Sequence, residues 1–423
     1  MRDARRYTFP ARICLLIALL FLVYLAAKRG VGAWHFREGS PAAIQTAMKW
    51  DPANPAYYDA LGTLTHLYAN SENSNEIVQL YERATRLSPH DAQFWADLGD
   101  GYDWAGRSND ALEAFQRARY LFPNSPDINW RLANFYVRTG KIPEALQALR
   151  MVLLGDGATR RRVFTLATNA TRDKDAILEM LPARASDFFD YVNFQIERDD
   201  IAGAQETWTR LLQLNFPFDL REAFPYFDAL IRHREFEQLS QSWSALAQRF
   251  PAQVQRVVPS SNLSNLVTNG GFESDILNGG FDWRVIPVDG AVVSLDSVGA
   301  FEGSRALRIA FQGSRNVDYG HLFQYVPVQP NTRYRFSSHM RVQGITTDSG
   351  PRFQVCDAYN IGKVFASTEN LVGTSGWSEQ LAQFTTPADI HLLLVRVVRP
   401  ASNRLDNQIA GTVWIDNVRL NSE

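Results

Sequence analysis

Hydrolysis of a glycoside calls for two carboxylates roughly 5 to 10 Å apart across a cleft, and nothing in the spacing of the 45 acidic residues singles out such a pair. The chain carries no G-x-S-x-G, H-E-x-x-H, P-loop or dinucleotide fingerprint. Its 7 histidines are scattered, and its 2 cysteines, Cys14 and Cys356, stand near opposite ends, so neither a zinc cluster nor an internal disulfide is expected. The 43 basic residues nearly balance the acidic ones, which leaves no global field to hold a nucleic acid. Residue chemistry therefore points to a binding protein and not an enzyme, and its function must lie in surfaces that the folded elements build.

A chain of 423 residues suggests two or three folded units, and its apolar share of 45% is that of an ordinary globular protein. The first element is different. Ile13 to Ala27 (ICLLIALLFLVYLAA) is uninterrupted apolar sequence, preceded by Arg2, Arg5, Arg6 and Arg12 and followed by Lys28 and Arg29. Residues 13–30 read as a transmembrane anchor behind a basic cytoplasmic tail, 1–12. The apolar run reaches only about 22 Å against a hydrocarbon core of ~30 Å, so Arg12 and Lys28 must snorkel or the bilayer must thin. Trp34 and Phe36 suit the far interface. A basic leader and an apolar run of this length also fit a cleaved signal peptide, although Leu25-Ala26-Ala27 is a poor cleavage site. The arginines before the run, set against Lys28, Arg29 and Arg37 after it, put the N-terminus in the cytoplasm and the bulk of the chain on the periplasmic side of an inner membrane.

From Ala92 to Ser125, Trp95, Leu98, Gly99 and Tyr102 share one helical face. Gly106 ends that helix, and Ala111, Phe115 and Ala118 mark a second until Pro123. The small residues let two helices approach while the aromatics fill the gaps, and one such hairpin cannot bury its face alone. Residues 126–159 repeat the pattern 34 positions later with Leu132, Ala133, Tyr136, Gly140, Ala145 and Leu149, and residues 55–91 carry Tyr58, Leu61, Gly62, Ile77, Tyr81, Ala84 and Pro89 with an insert around Asn70 to Asn75. Ser40 to Pro52 reads as the lone second helix of a degenerate repeat close to the membrane. Phe188, Tyr191, Ala204, Trp208, Phe236 and Trp243 suggest two further, degenerate hairpins up to residue 251. Trp95, Trp104 and Trp208 fall at helical spacing and are expected in the core. The order W-x2-L-G-x2-Y, A-x3-F, P resembles the tetratricopeptide repeat. That resemblance implies a helical solenoid over 40–251 whose groove binds a protein partner.

A linker, 252–264, includes Pro259-Ser-Ser-Asn-Leu-Ser264, after which short alternating runs separated by Gly, Asn and Asp indicate strands. The clearest are Ala306 to Phe311, Phe323 to Val328, Tyr334 to Val342, Phe353 to Ala358, His391 to Val398 and Thr412 to Leu420. Residues 265–423 suffice for one antiparallel jelly roll of eight to ten strands. The fold class is thus multidomain α plus β: an N-terminal transmembrane helix, an α-solenoid of helical hairpins and a C-terminal β-sandwich.

Four phrases of this segment, Asn265-Leu-Val-Thr-Asn-Gly-Gly-Phe-Glu273, Gly303-Ser-Arg-Ala-Leu-Arg-Ile309, Gln324-Tyr-Val-Pro-Val-Gln-Pro-Asn-Thr-Arg-Tyr-Arg-Phe336 and Val413-Trp-Ile-Asp-Asn-Val-Arg-Leu420, resemble the carbohydrate-binding modules with a galactose-binding-like jelly roll that are appended to bacterial glycanases. The resemblance implies glycan as a ligand and a structural calcium ion held by Glu273 and Asp416, which otherwise read as a turn cap and an Asx-turn. Sugar recognition needs aromatic faces and planar polar side chains, for which Trp283, Tyr319, Tyr325, His339, Arg341, Gln354 and Arg396 are the candidates. Relatives often carry an aromatic at His339. Two functions fit: a membrane-anchored scaffold in bacterial cell-surface polysaccharide assembly or export, its repeats on a protein and its sandwich on polysaccharide, or a structural adaptor whose jelly roll makes protein contacts only.

Overall fold

A computed structural model describes residues 8–68, 73–155, 159–249 and 265–423. Arg2, Arg5 and Arg6, the first half of the expected insert and the linker 252–264 lie outside the described residues. The chain divides into two compact units, Met1–Asp187 and Phe188–Glu423, so the division falls inside the helical region.

The first unit opens with α1 (Thr8–Phe36), followed by α2 (Pro41–Trp50) and the pairs α3 (Pro55–Leu67) with α4 (Ser74–Leu87), α5 (Ala92–Trp104) with α6 (Ser108–Leu121), and α7 (Pro126–Arg138) with α8 (Ile142–Leu153). Helices α9 (Arg160–Ala170) and α10 (Lys174–Met180) close it. The glycines act as their spacing implies. A Cβ at Gly99 would lie 2.7 Å from the Phe115 ring, and one at Gly62 would lie 2.8 Å from Tyr81. Trp95 is partly buried against Ile77, Tyr81, Leu98 and Ala114, with its indole N–H donating to the Pro89 carbonyl at 3.0 Å. Trp104 corrects the expectation of a core residue, since it is 50% exposed and lies beside His66.

Helix α1 outlasts its apolar run. Residues Ile13–Phe36 form one helical span with a mean hydropathy of 2.0, long and apolar enough to cross a membrane. Its last turns pack into the repeat fold: Phe36 meets Tyr57 with ring centroids 4.9 Å apart, and a Cβ at Gly32 would come within 3.3 Å of the Tyr57 hydroxyl. The lone helix expected at Ser40 to Pro52, α2, therefore has a partner, namely the end of α1.

Among the described residues the second unit joins most of α11 (Ala185–Glu197), whose first residues precede the division, and α12 (Ile201–Leu214), α13 (Phe224–His233) and α14 (Phe236–Arg249) to ten strands. The strands are β1 (Arg284–Val285), β2 (Ala291–Asp296), β3 (Ala306–Gln312), β4 (Tyr319–Pro327), β5 (Arg333–Ile345), β6 (Arg352–Asp357), β7 (Asn360–Ser367), β8 (Gly373–Thr385), β9 (Leu392–Arg399) and β10 (Ala410–Ser422). All pairings are antiparallel, in two five-stranded sheets ordered β1-β4-β9-β6-β7 and β2-β3-β10-β5-β8. Alternation drives Leu307, Ile309, Phe336, Phe353, Val395 and Ile415 into the space between the sheets, where they form one core. Arg399 is a buried exception to the apolar rule. Its guanidinium donates to the carbonyls of Val317, Ser349 and Asn407 and to the side chains of Asn316 and Thr347, tying three loops at one end of the sandwich.

Candidate functional site

The seven side chains picked as sugar-binding candidates separate into three places. Trp283 and Tyr319 belong to the interior. Trp283 is wholly buried, stacks near Phe272 and donates its N–H to the Asn269 carbonyl at 3.2 Å, while the Tyr319 ring meets Phe311 in the core. Neither ring offers a face to a ligand. The opening segment 265–283 folds inward, which an aromatic residue in a Gly-rich stretch does not announce.

His339 and Arg341 lie on the outer face of the second sheet. The register aligns Arg308 of β3, Trp414 of β10 and Arg341 of β5. The Arg341 guanidinium sits 4.1 Å over the Trp414 ring and 5.5 Å from Trp377, and the Trp414 N–H donates to Asp296 at 2.9 Å. A turn between β2 and β3 folds over this row. Phe301 of that turn stacks on His339 with centroids 3.6 Å apart, a Cβ at Gly299 would lie 3.3 Å from the Arg341 guanidinium, and Trp414 is only 8% exposed. Burial lowers the His339 pKa, which keeps the ring neutral against Phe301.

Glu273 and Asp416 hold that turn down. Asp416 accepts from the backbone N–H groups of Phe301 at 2.9 Å, Glu302 at 3.0 Å and Asn417 at 2.7 Å. Glu273 accepts from the N–H groups of Ser304 and Arg305 and from the Ser304 hydroxyl. Calcium requires six to eight oxygens around one point, whereas these carboxylates face N–H donors, and among the described residues no three His, Cys, Asp or Glu side chains converge. These hydrogen bonds are those of a turn cap at Glu273 and an Asx-turn at Asp416. Burial raises the Asp416 pKa and its N–H partners oppose that; in Glu273 the hydrogen bonds prevail over burial and lower it.

Tyr325, Gln354 and Arg396 are brought together on the outer face of the first sheet. One row of the ladder runs Arg284, Phe323, Arg396, Gln354, Ser367 across β1, β4, β9, β6 and β7, and the next row carries Tyr325, Leu394, Cys356 and Val364. Arg396 donates to the Gln354 amide oxygen at 2.9 Å, and its Nε is buried without a partner. Half of this face is covered. Leu392, Leu394 and Cys356 alternate outward from core residues yet are buried, and helices α13 and α14 account for it: the Tyr359 hydroxyl donates to the Ile231 carbonyl at 2.5 Å, Arg234 lies 4.5 Å over the Tyr359 ring, and Phe236 stacks on His391 at 5.2 Å. Asp228 of α13 pairs with Arg284 at 2.5 Å, and Arg284 in turn lies 5.2 Å over Tyr325. Beyond the helix the face stays open around Phe323, Arg396, Gln354, His321 and Arg352, all partly exposed. Phe323, His321 and Arg352 were not among the candidates. Two-residue alternation from Tyr325 and Gln354 is the signal that would have found them.

In the first unit, a polar cluster links the first helices of three successive hairpins. Arg131 of α7 pairs with Asp97 and Asp100 of α5, each at 2.6 Å, and with Asp127 at 2.9 Å. Burial, then the neighbouring Asp97, pushes Asp59 of α3 up to about 7, and burial pushes Asp100 up to about 6 against the pull of Arg131.

Residues 105–169 match the tetratricopeptide repeat family. This stretch is a tetratricopeptide repeat array. No curated protein matches the chain. Among solved structures, the MamA protein is 16% identical, covering 46% of this chain and 98% of its own, with a TM-score of 0.32. A family 16 carbohydrate-binding module is 21% identical, covering 37% and 99%, with a TM-score of 0.26. The TmCBM61 module, solved with β-1,4-galactotriose, is 18% identical, covering 38% and 99%, with a TM-score of 0.27. In the structure the helical repeats are followed by a sandwich of two five-stranded sheets, the first half roofed by helices.

Proposed function

We propose that the chain is a membrane-anchored, non-catalytic scaffold in the assembly or export of a bacterial cell-surface polysaccharide, with the repeats holding a protein partner and the open half of the first sheet holding the glycan. The observation that carries the glycan assignment is the row Phe323, Arg396, Gln354: an aromatic ring beside two planar polar groups, all partly exposed on one sheet. The anchor rests on α1, whose apolar span continues without a break into the repeat fold. A glycan array probed with the full chain in detergent should give hits that Phe323→Ala removes; hits unaffected by Phe323→Ala would exclude this face. The protein should stay in the membrane pellet through a carbonate wash, and a soluble form beginning near Lys28 would contradict the anchor. The adaptor reading keeps one observation in its favour, the burial of Leu392, Leu394 and Cys356 under α13 and α14. An array without any hit would leave that reading standing.

A further inference from the structure

The open half of the first sheet has a charge that its strands do not neutralise. Strands β4, β7 and β9 contain no Asp or Glu, and β6 contains only Asp357, at the end of the face that the helices cover, where it accepts from the Tyr359 N–H at 2.8 Å. Three arginines project from the same strands and β1. Arg284 is neutralised by Asp228. Arg396 meets only neutral acceptors, the Gln354 amide oxygen at 2.9 Å and the Ile361 carbonyl at 3.4 Å, and its Nε is buried without a partner. Arg352 makes no ion pair among the described residues. Because Gln354 opposes Arg396 and Arg352 opposes Val398, the two unpaired arginines are diagonal neighbours, about 7–8 Å apart along the sheet.

We propose, resting on the glycan reading above, that this face takes an acidic sugar, a uronic acid whose carboxylate is gripped by Arg396 and Arg352. A guanidinium presents two parallel N–H donors that match the two oxygens of a carboxylate, and partial burial strengthens that pairing over one in open water. Phe323 lies between Arg284 and Arg396 in the ladder, placed to receive the apolar face of the ring that carries the acid. A neutral sugar could offer hydroxyl oxygens to these donors but would leave both cations without a counter-charge.

The test is calorimetric titration of the full chain in detergent with a short oligogalacturonate and with a neutral β-1,4-galactan oligosaccharide. The acidic ligand should bind more tightly by about tenfold or more, and the margin should shrink as salt is raised. Arg396→Gln and Arg352→Gln should each remove most of that preference, and Arg396→Lys, which keeps the charge without the fork, should restore only part of it. Equal affinity for the two ligands, or preference for the neutral one, would overturn the acidic assignment while leaving a glycan site in place. Failure of both to bind, with the same chain also silent on a broad glycan array, would remove the site itself.

Discussion

The two outer faces of the sandwich are built from similar parts and come to opposite ends. Each sheet projects arginine and aromatic side chains in a row: Arg308, Trp414 and Arg341 on one, Arg284, Phe323 and Arg396 on the other. On the second sheet the turn carrying Gly299 and Phe301 closes over the row, and Asp416 and Glu273 fasten the turn by its own N–H groups. On the first sheet α13 and α14 cover the apolar half and stop, leaving Phe323, Gln354 and Arg396 partly exposed, while a buried guanidinium Nε without a partner is common to both faces, at Arg396 and at Arg341. The same residue types end covered on one face and partly exposed on the other, and the difference is whether the chain supplies its own cover.

The strongest way to break this comparison is to unfasten the turn. Asp416 is wholly buried and its loss strands the N–H groups of Phe301 and Glu302, so Asp416→Ala should cost about 3 kcal/mol in chemical denaturation. It should also expose Trp414 to a fluorescence quencher, and a variant with unchanged stability would show that the turn is held by something else. The calcium implied by the resemblance gives an opposing expectation, a gain of about 2.7 kcal/mol when the ion exceeds its Kd a hundredfold. Because both carboxylates already accept from N–H donors, melting should ignore calcium and chelator alike.

A smaller effect sharpens the other face. Asp228→Ala removes the partner of Arg284, a partly buried guanidinium lying over Tyr325, and should cost about 1 to 2 kcal/mol while loosening α13 from the sheet. Faster hydrogen exchange in residues 224–233 would register that loosening; unchanged exchange and stability would mean that apolar packing alone seats the helix.

The smallest effect belongs to the repeat unit, where burial raises carboxyl pKa values. Asp59 near 7 and Asp100 near 6 bind protons more tightly in the folded chain than in the unfolded one, so their contribution to stability is present at low pH and is lost as pH rises from about 4 to 7. Asp59→Asn should flatten that slope and stabilise the unit at pH 8 by on the order of 1 kcal/mol, a fraction of the full linkage because the cluster is partly solvated. A slope that Asp59→Asn leaves unchanged would assign the titration elsewhere.

The fold was largely legible because it rests on periods. Gly99, Ala111 and Phe115 recur at helical spacing and meet as that spacing requires, and the six clearest strands lie where two-residue alternation places them. The candidate face was legible in part. Tyr325, Gln354 and Arg396 interrupt apolar alternation, which marks the solvent side of a strand, but the same rule marks His339 and Arg341. Local sequence cannot tell these two sets apart, because the covers come from far along the chain: Phe301 reaches β5 from the turn before β3, and Ile231 reaches Tyr359 across 128 residues. It also misplaced Trp283, whose burial depends on the opening segment turning into the core. The covering helices further mean that residues 265–423 taken alone would expose Leu392, Leu394 and Cys356, so binding studies need the unit from Phe188 onward or the full chain.

The most direct test of the central claim is a titration of the full chain and two single variants, Arg396→Gln on the open face and Arg341→Gln on the closed one, with oligogalacturonate and with whichever oligosaccharide the array returns. Arg396→Gln should weaken binding by about tenfold or more, and Arg341→Gln should leave it within about twofold of the unaltered chain. The reverse order, or equal losses in both, would contradict that claim.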